Sequence, residues 1–101
     1  MPLPYLKINM ALNLTGKIIA VLQPRSGTSQ RTGKEWVSQE FVLETQEQYP
    51  QRLCFTVSGS ERLRQFSITE GETLTVFFDI DAHEWNGRWY NEFNAYNVRR
   101  N

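Results

Sequence analysis

The stretch Leu74-Thr-Val-Phe-Phe-Asp-Ile-Asp-Ala-His-Glu-Trp-Asn-Gly-Arg-Trp-Tyr-Asn-Glu-Phe-Asn-Ala-Tyr-Asn-Val98 decides how this chain folds. Leu74, Val76, Phe78, Ile80 and Ala82 recur at every second position, the period of a strand with one face turned inward. Asn86-Gly87 then separates this run from a second strand pattern. Asn-Gly in that setting specifies a two-residue hairpin loop, because both central positions need positive φ. With Trp85 opposite Arg88, the facing pairs become Glu84 with Trp89, His83 with Tyr90, Asp81 with Glu92, Ile80 with Phe93, Asp79 with Asn94, Phe78 with Ala95 and Phe77 with Tyr96. This register gathers Phe78, Ile80, Phe93 and Ala95 on one face, as a core requires.

Upstream of the hairpin, Thr69-Glu-Gly-Glu72 reads as a turn, and residues 60–66 read as a short helix. Ser58 with Glu61 fits a capping box, and Leu63 and Phe66 follow at helical spacing. Leu53, Phe55 and Val57 alternate along an earlier strand. Before it, Val37, Phe41 and Leu43 share the inner face of another strand whose outer face carries Trp36, Ser38, Glu40, Val42 and Glu44. Residues 12–23 read as a long first strand stopped by Pro24, with Gly16 as the bend that lets one strand serve two parts of a sheet. Residues 24–34 hold turn formers, hydroxyls and bases without an apolar anchor, so they read as an exposed basic loop.

The order is three strands, a short helix, and two strands joined by a tight hairpin. It predicts an all-β fold, a five-stranded Greek-key OB-fold barrel with the helix between strands three and four. An SH3-like barrel is the alternative, and the position of the helix favours the OB-fold. Residues 1–11, with two prolines and no clear period, read as an N-terminal arm, and residues 12–101 as the OB-fold domain.

A chain of 101 residues supports one core and leaves little room for a deep catalytic cleft. Its single cysteine forms no intrachain disulfide, no run approaches the roughly 20 apolar residues of a membrane span, and the first residues show no secretion signal. The expected compartment is therefore the cytoplasm. Eleven bases balance eleven acids, but they are segregated. Lys7, Lys17, Arg25, Arg31 and Lys34 precede any acid, and Glu35, Glu40, Glu44 and Glu47 follow as a block. His83 is the sole histidine, no serine or cysteine sits in a nucleophile motif, and no phosphate-binding glycine loop occurs. The reading is a binding protein that is not an enzyme, with no cofactor and no metal.

Gly33-Lys-Glu-Trp36, Ser58-Gly59, Glu70-Gly-Glu72 and Trp85 with Tyr90 resemble the layout of bacterial single-stranded-DNA-binding proteins. Thr15-Gly-Lys-Ile18, Ser26-Gly-Thr-Ser29, Gln39-Glu-Phe-Val-Leu-Glu-Thr-Gln-Glu-Gln-Tyr-Pro50 and Asn86-Gly-Arg-Trp-Tyr90 look like a family of small bacterial proteins known only as a domain of unknown function. The second likeness covers about residues 12–99 and brings no activity with it. The first implies basic loops, aromatic side chains on the barrel face, and a homo-oligomer. The chain departs from it in its zero net charge, in Glu40 and Glu44 on the outer face of strand two, and in lacking a long acidic, glycine-rich tail.

The residues and this resemblance together point to single-stranded nucleic acid, DNA ahead of RNA. Trp36 offers a ring for base stacking, with Lys17, Arg25, Arg31 and Lys34 to neutralise phosphates. Arg52 and Thr56 extend the face, and Trp85, Arg88 and Tyr90 make an aromatic hairpin tip in which Arg88 faces Trp85 for a cation-π contact. Phe77 and Tyr96, flanked by Val98, form an outer apolar patch read as a self-association surface, with Tyr5 and Leu6 of the arm as another cover for it. Asp81 opposite Glu92, beside Asp79, is an acidic surface suited to a basic segment. The rival reading keeps the fold and uses these edges for protein contacts alone, without nucleic acid.

Overall fold

The computed structural model describes residues 12–100, so the arm predicted at residues 1–11 lies outside the described residues. Strands β1 (Asn13–Val21), β2 (Arg25–Thr28), β3 (Glu35–Glu44) and β4 (Arg52–Ser58) precede helix α1 (Ser60–Phe66), and β5 (Thr73–Trp85) and β6 (Arg88–Arg99) follow it. The sheet runs β1-β5-β6-β4-β3-β2, and β1 also pairs with β3, which closes the sheet into a barrel. All pairings are antiparallel except β4 with β6, which meet in parallel at Thr56 and Asn94. Together with a helix before the final hairpin, this is the OB-fold expected from the sequence. Strand β2 is an addition to it.

Closure depends on β1 changing partners. Its first half, Asn13 to Lys17, pairs with β5, and Lys17 to Val21 pairs with β3. The register shift falls at Ile19, between Ile18 opposite Leu43 and Ala20 opposite Val42, and not at Gly16 as expected. Gly16 serves a different need. A Cβ there would stand 2.6 Å from Leu43 Cδ2 and closer still to the Glu44 carbonyl oxygen, so only glycine lets β1 cross this near to β3. Inside the barrel, Ile18, Leu43, Phe55, Val57, Leu74 and Val76 are fully enclosed, and Phe41 stacks on Phe55 at 5.6 Å.

The last hairpin turns at Asn86-Gly87 with φ of 52° and 78°, the two positive values such a turn demands. Its pairs match the sequence reading from Trp85 with Arg88 down to Phe78 with Ala95. There a register shift intervenes, so Phe77 faces Asn97 and not Tyr96. Tyr96 is the extra residue of the bulge. A further correction concerns the core: Ile80, expected inside, is 51% exposed, and Ala82 is exposed as well. Barrel cover ends at Phe78, and every β5 residue from Asp79 to Trp85 is exposed, in an arm that among the described residues has two strands, β5 and β6.

Residues 25–28, read as loop, form β2 and pair with β3 from Arg25 opposite Ser38 to Thr28 opposite Glu35. None of the four is buried, so hydrophobic alternation could not reveal the strand. Helix α1 has the predicted bounds, but Gly59 is its N-cap and no side chain caps it, so the Ser58–Glu61 box does not form.

The helix C-terminus is held by a residue the sequence did not single out. Arg100 binds Glu72 through Nε at 2.7 Å and also donates to the Phe66 and Ser67 carbonyl oxygens. It ties the end of β6 to the last helical turn and to the start of β5. The Arg100 hydrogen bond, helped by the Thr69 amide, holds the Glu72 carboxyl below its usual value against the opposing effect of burial.

Gly16→Ala is expected to destabilise the domain by about 2–3 kcal/mol, since the added methyl meets backbone and cannot be relieved by a side-chain rotation. A thermal melt should show a loss of roughly 10 °C or more. Glu72→Gln is expected to cost about 1 kcal/mol at neutral pH, the value of a charge-assisted bond reduced by partial exposure. A depressed carboxyl pKa stabilises the fold above the unfolded value, and that contribution fades as pH falls through the folded one. Denaturant midpoints of the two proteins should therefore differ at pH 7 and converge towards pH 3.

Candidate nucleic-acid interface

The outer surface of β2, β3 and β4 is a strip set by strand parity. Trp36, Ser38, Glu40, Val42 and Glu44 project from β3 beside Ser58, Thr56, Cys54 and Arg52 of β4, paired as Ser38–Ser58, Glu40–Thr56, Val42–Cys54 and Glu44–Arg52. At one end Trp36 lies opposite Gly27 of β2, and a Cβ at Gly27 would be 2.8 Å from Trp36 Cζ2. The indole is therefore pressed onto bare backbone while 49% of the residue stays exposed. Without a side chain on Gly27, the ring has one supported face and an open surface. A groove of about 750 Å³ adjoins it, lined by Gly27, Trp36 and Glu35 and by the small hydroxyl residues Ser26, Ser38 and Ser58.

The predicted cations are not equivalent in the structure. Arg25 reaches Glu40 across the β2–β3 ladder at 2.6 Å, and Arg52 reaches Glu44 across β3–β4 at 3.2 Å. Lys17 is also the β1 register partner of Glu44. The glutamates that looked hostile to a phosphate backbone are thus partners of strip cations, and the middle of the strip is close to neutral. Arg31 and Lys34 belong to the β2–β3 turn near Trp36, and no side-chain partner is seen for either among the described residues. Cys54 lies in the strip, 3.8 Å from a Glu40 carboxylate oxygen. Burial and then the Glu40 charge push its thiol pKa up, with Arg25 opposing, so the thiol is a poor nucleophile.

The hairpin tip is apart from this end. Parallel pairing of Thr56 with Asn94 sends the arm past the Arg52 end of β4, whereas Trp36 lies towards the Ser58 end. Arg88 is six residues from Asn94, about 20 Å along an extended strand. Trp85 and Trp89 are 65% and 68% exposed there. Arg88 does not stack on Trp85 as expected; its guanidinium lies 5.8 Å from the Tyr90 ring, its neighbour two residues along the same face of β6. Asp81 does face Glu92, whose carboxylate is 3.4 Å from His83 Nδ1.

The proposed self-association patch is also divided. Val98 packs against the core, Phe77 is covered by the Arg99 guanidinium at 5.6 Å, and Tyr96 remains 38% exposed. Among the described residues, no three His, Cys, Asp or Glu side chains converge as a metal ion would need. No helix of the described residues is long and apolar enough to cross a membrane.

Solved structures with this architecture include the second OB-fold domain of replication protein A from Methanococcus maripaludis. It is 13% identical, with a TM-score of 0.61 over 89% of this chain and 82% of that one. The SSB domain of a Synechococcus sp. protein is 14% identical, with a TM-score of 0.60 over 89% of this chain and 93% of that one. At these identities the likeness is one of fold. No curated protein matches the chain in sequence. A family model does match, over residues 13–99, and it spans the whole barrel from the first strand to the last: the chain belongs to DUF3127, a domain of unknown function.

Proposed function

We propose that this domain binds single-stranded nucleic acid along the outer strip of β3 and β4, DNA ahead of RNA. The observation that carries the reading is Trp36, a half-exposed indole backed by Gly27 beside an open groove. Stacking on such a ring contributes roughly 1–3 kcal/mol per base and accepts any base. Arg31 and Lys34 supply phosphate contacts at that end, Thr56 and the paired Arg25 and Arg52 line the middle, and Trp85, Arg88 and Tyr90 extend the track beyond the far end. Lys17 serves where β1 meets Glu44. The protein acts as a binding module and not as an enzyme. The cytoplasm suits it, because the free Cys54 thiol stays reduced there.

The same reading includes a homo-oligomer in which Tyr96 and Phe77, on the outer side of β5 and β6, meet a second copy while Val98 supports them from the core side. The rival, a module for protein contacts only, draws support from the neutral strip and from Trp85 and Trp89 at the arm tip.

Anisotropy titration of a labelled oligonucleotide of about 30 nucleotides tests the proposal. Saturable binding is expected, with Trp36→Ala weakening it about tenfold or more. Because ion pairs occupy Arg25 and Arg52, four of the six proposed cations, Lys17, Arg31, Lys34 and Arg88, have no ion pair among the described residues, and log K should fall with log salt at a slope of about −3. Absence of binding at low salt favours the rival. Light scattering at micromolar concentration should report more than one copy, reduced by Tyr96→Glu; a monomer would remove the oligomer from the proposal.

A further inference from the structure

The groove beside Trp36 contains a carboxylate, and a groove that receives a polyanion has to account for it. Among the described residues that line the groove, Glu35 alone is charged. The others include the Trp36 indole, bare backbone at Gly27, and the hydroxyls of Ser26, Ser38 and Ser58. The Glu35 backbone is fixed on both sides. It lies opposite Thr28 in the β2–β3 ladder, and the carbonyl of the preceding Lys34 accepts from the Ser29 amide at 2.8 Å. The turn itself is closed by the Gly33 amide, which donates to the Ser29 carbonyl oxygen at 2.7 Å. Glu35 is exposed, so packing inside the barrel does not explain it. A volume of about 750 Å³ is in the range of small-molecule sites and has room for a base with its sugar.

A carboxylate accepts hydrogen bonds and donates none. It repels a phosphate, and against a base it is favourable only where the base presents donors. Bases splayed from a single strand stack on an aromatic ring and are read on their Watson–Crick edge. On that edge guanine presents two adjacent donors, N1–H and the N2 amino group, which suit the two oxygens of one carboxylate. Thymine presents one N–H between two carbonyl oxygens, both of which a carboxylate repels. Adenine and cytosine each present one amino group beside a ring nitrogen that accepts.

We infer that this groove selects guanine, with the base stacked on Trp36 and its N1–H and N2 amino group bound by Glu35. The inference rests on the proposed function and adds a base preference to it. Trp36 and Glu35 are neighbours in a strand, so their side chains leave it in opposite directions. That divergence is what the arrangement needs, because a stacking ring lies over the plane of a base and a carboxylate must meet its edge. The serine hydroxyls are donors for O6, the acceptor that remains on the same edge of guanine. Trp36 thus supplies the part of the affinity common to all bases, and Glu35 the part that discriminates.

Anisotropy competition tests this with an oligothymidylate of about 12 nucleotides, enough for one OB-sized site, and the same strand carrying one central guanine. The guanine strand is expected to bind about tenfold tighter. Inosine in place of the guanine, which lacks the N2 amino group, should lose most of that advantage. Glu35→Gln, which removes one acceptor and adds a donor, should bring the two strands within about threefold of each other while the oligothymidylate binds at least as well as before. Because Glu35 is exposed, the variant should keep the thermal midpoint of the unsubstituted protein. Equal affinity of the two strands for the unsubstituted protein would overturn the inference and leave the proposed function standing, as would a guanine preference that survives Glu35→Gln. Failure of both strands to bind at low salt would remove the proposed function and the guanine preference with it.

Discussion

The approach of β1 to the Glu44 carbonyl at Gly16 is the constraint on which the molecule rests. Six strands in the order observed make a curved sheet with two ends; the crossing of β1 from β5 to β3 makes it a barrel. Everything that positions the candidate site follows from that crossing. It fixes which side of β3 is interior, stacking Phe41 on Phe55, and so turns Trp36, Ser38 and Glu40 outward. Beyond Phe78, where the buried residues of β5 end, the strand continues as an exposed arm.

The electrostatics of the strip follow from ladder register. Because Arg25 is opposite Ser38 and Arg52 opposite Glu44, each arginine comes within reach of a β3 glutamate, and the pairs cancel locally what the sequence segregates. Exposed pairs of this kind contribute little to stability. In the proposed function their effect is on recognition: with the middle of the strip neutral, affinity for a polyanion would rest on stacking and on the cations at the ends. A domain with zero net charge is compatible with such binding when an aromatic ring is seated against backbone with one face open, as Trp36 is on Gly27.

What the sequence revealed is what local chemistry dictates. Asn86-Gly87 requires two positive φ values, so the turn and the register next to it could be read directly. The inner faces of β3, β4 and β5 were legible because buried side chains alternate. Strand β2 has no buried side chain, and nothing in Arg25-Ser-Gly-Thr28 distinguishes a surface ladder from a loop. The bulge at Tyr96 adds one residue to an alternation that continues on both sides of it, and it moved the partner of Phe77 by one place. Ile80 and Ala82 keep the inward period beyond the end of the barrel, so the period alone overstated the core. The Arg100–Glu72 bond joins residues 28 apart and exists only once β6 passes the end of α1. The Glu40 and Glu44 pairs likewise appear only when three strands are assembled.

The central claim is that single strands lie on the outer face of β3 and β4 with a base on Trp36. Proton–nitrogen NMR resolves the indole N–H of each tryptophan, and three such signals are available, from Trp36, Trp85 and Trp89. On addition of a short single-stranded DNA, the account predicts that the Trp36 indole signal moves furthest, together with the amides of Ser38 and Thr56. A Trp36 signal that stays in place while the DNA binds, or while only Trp85 and Trp89 respond, would contradict it.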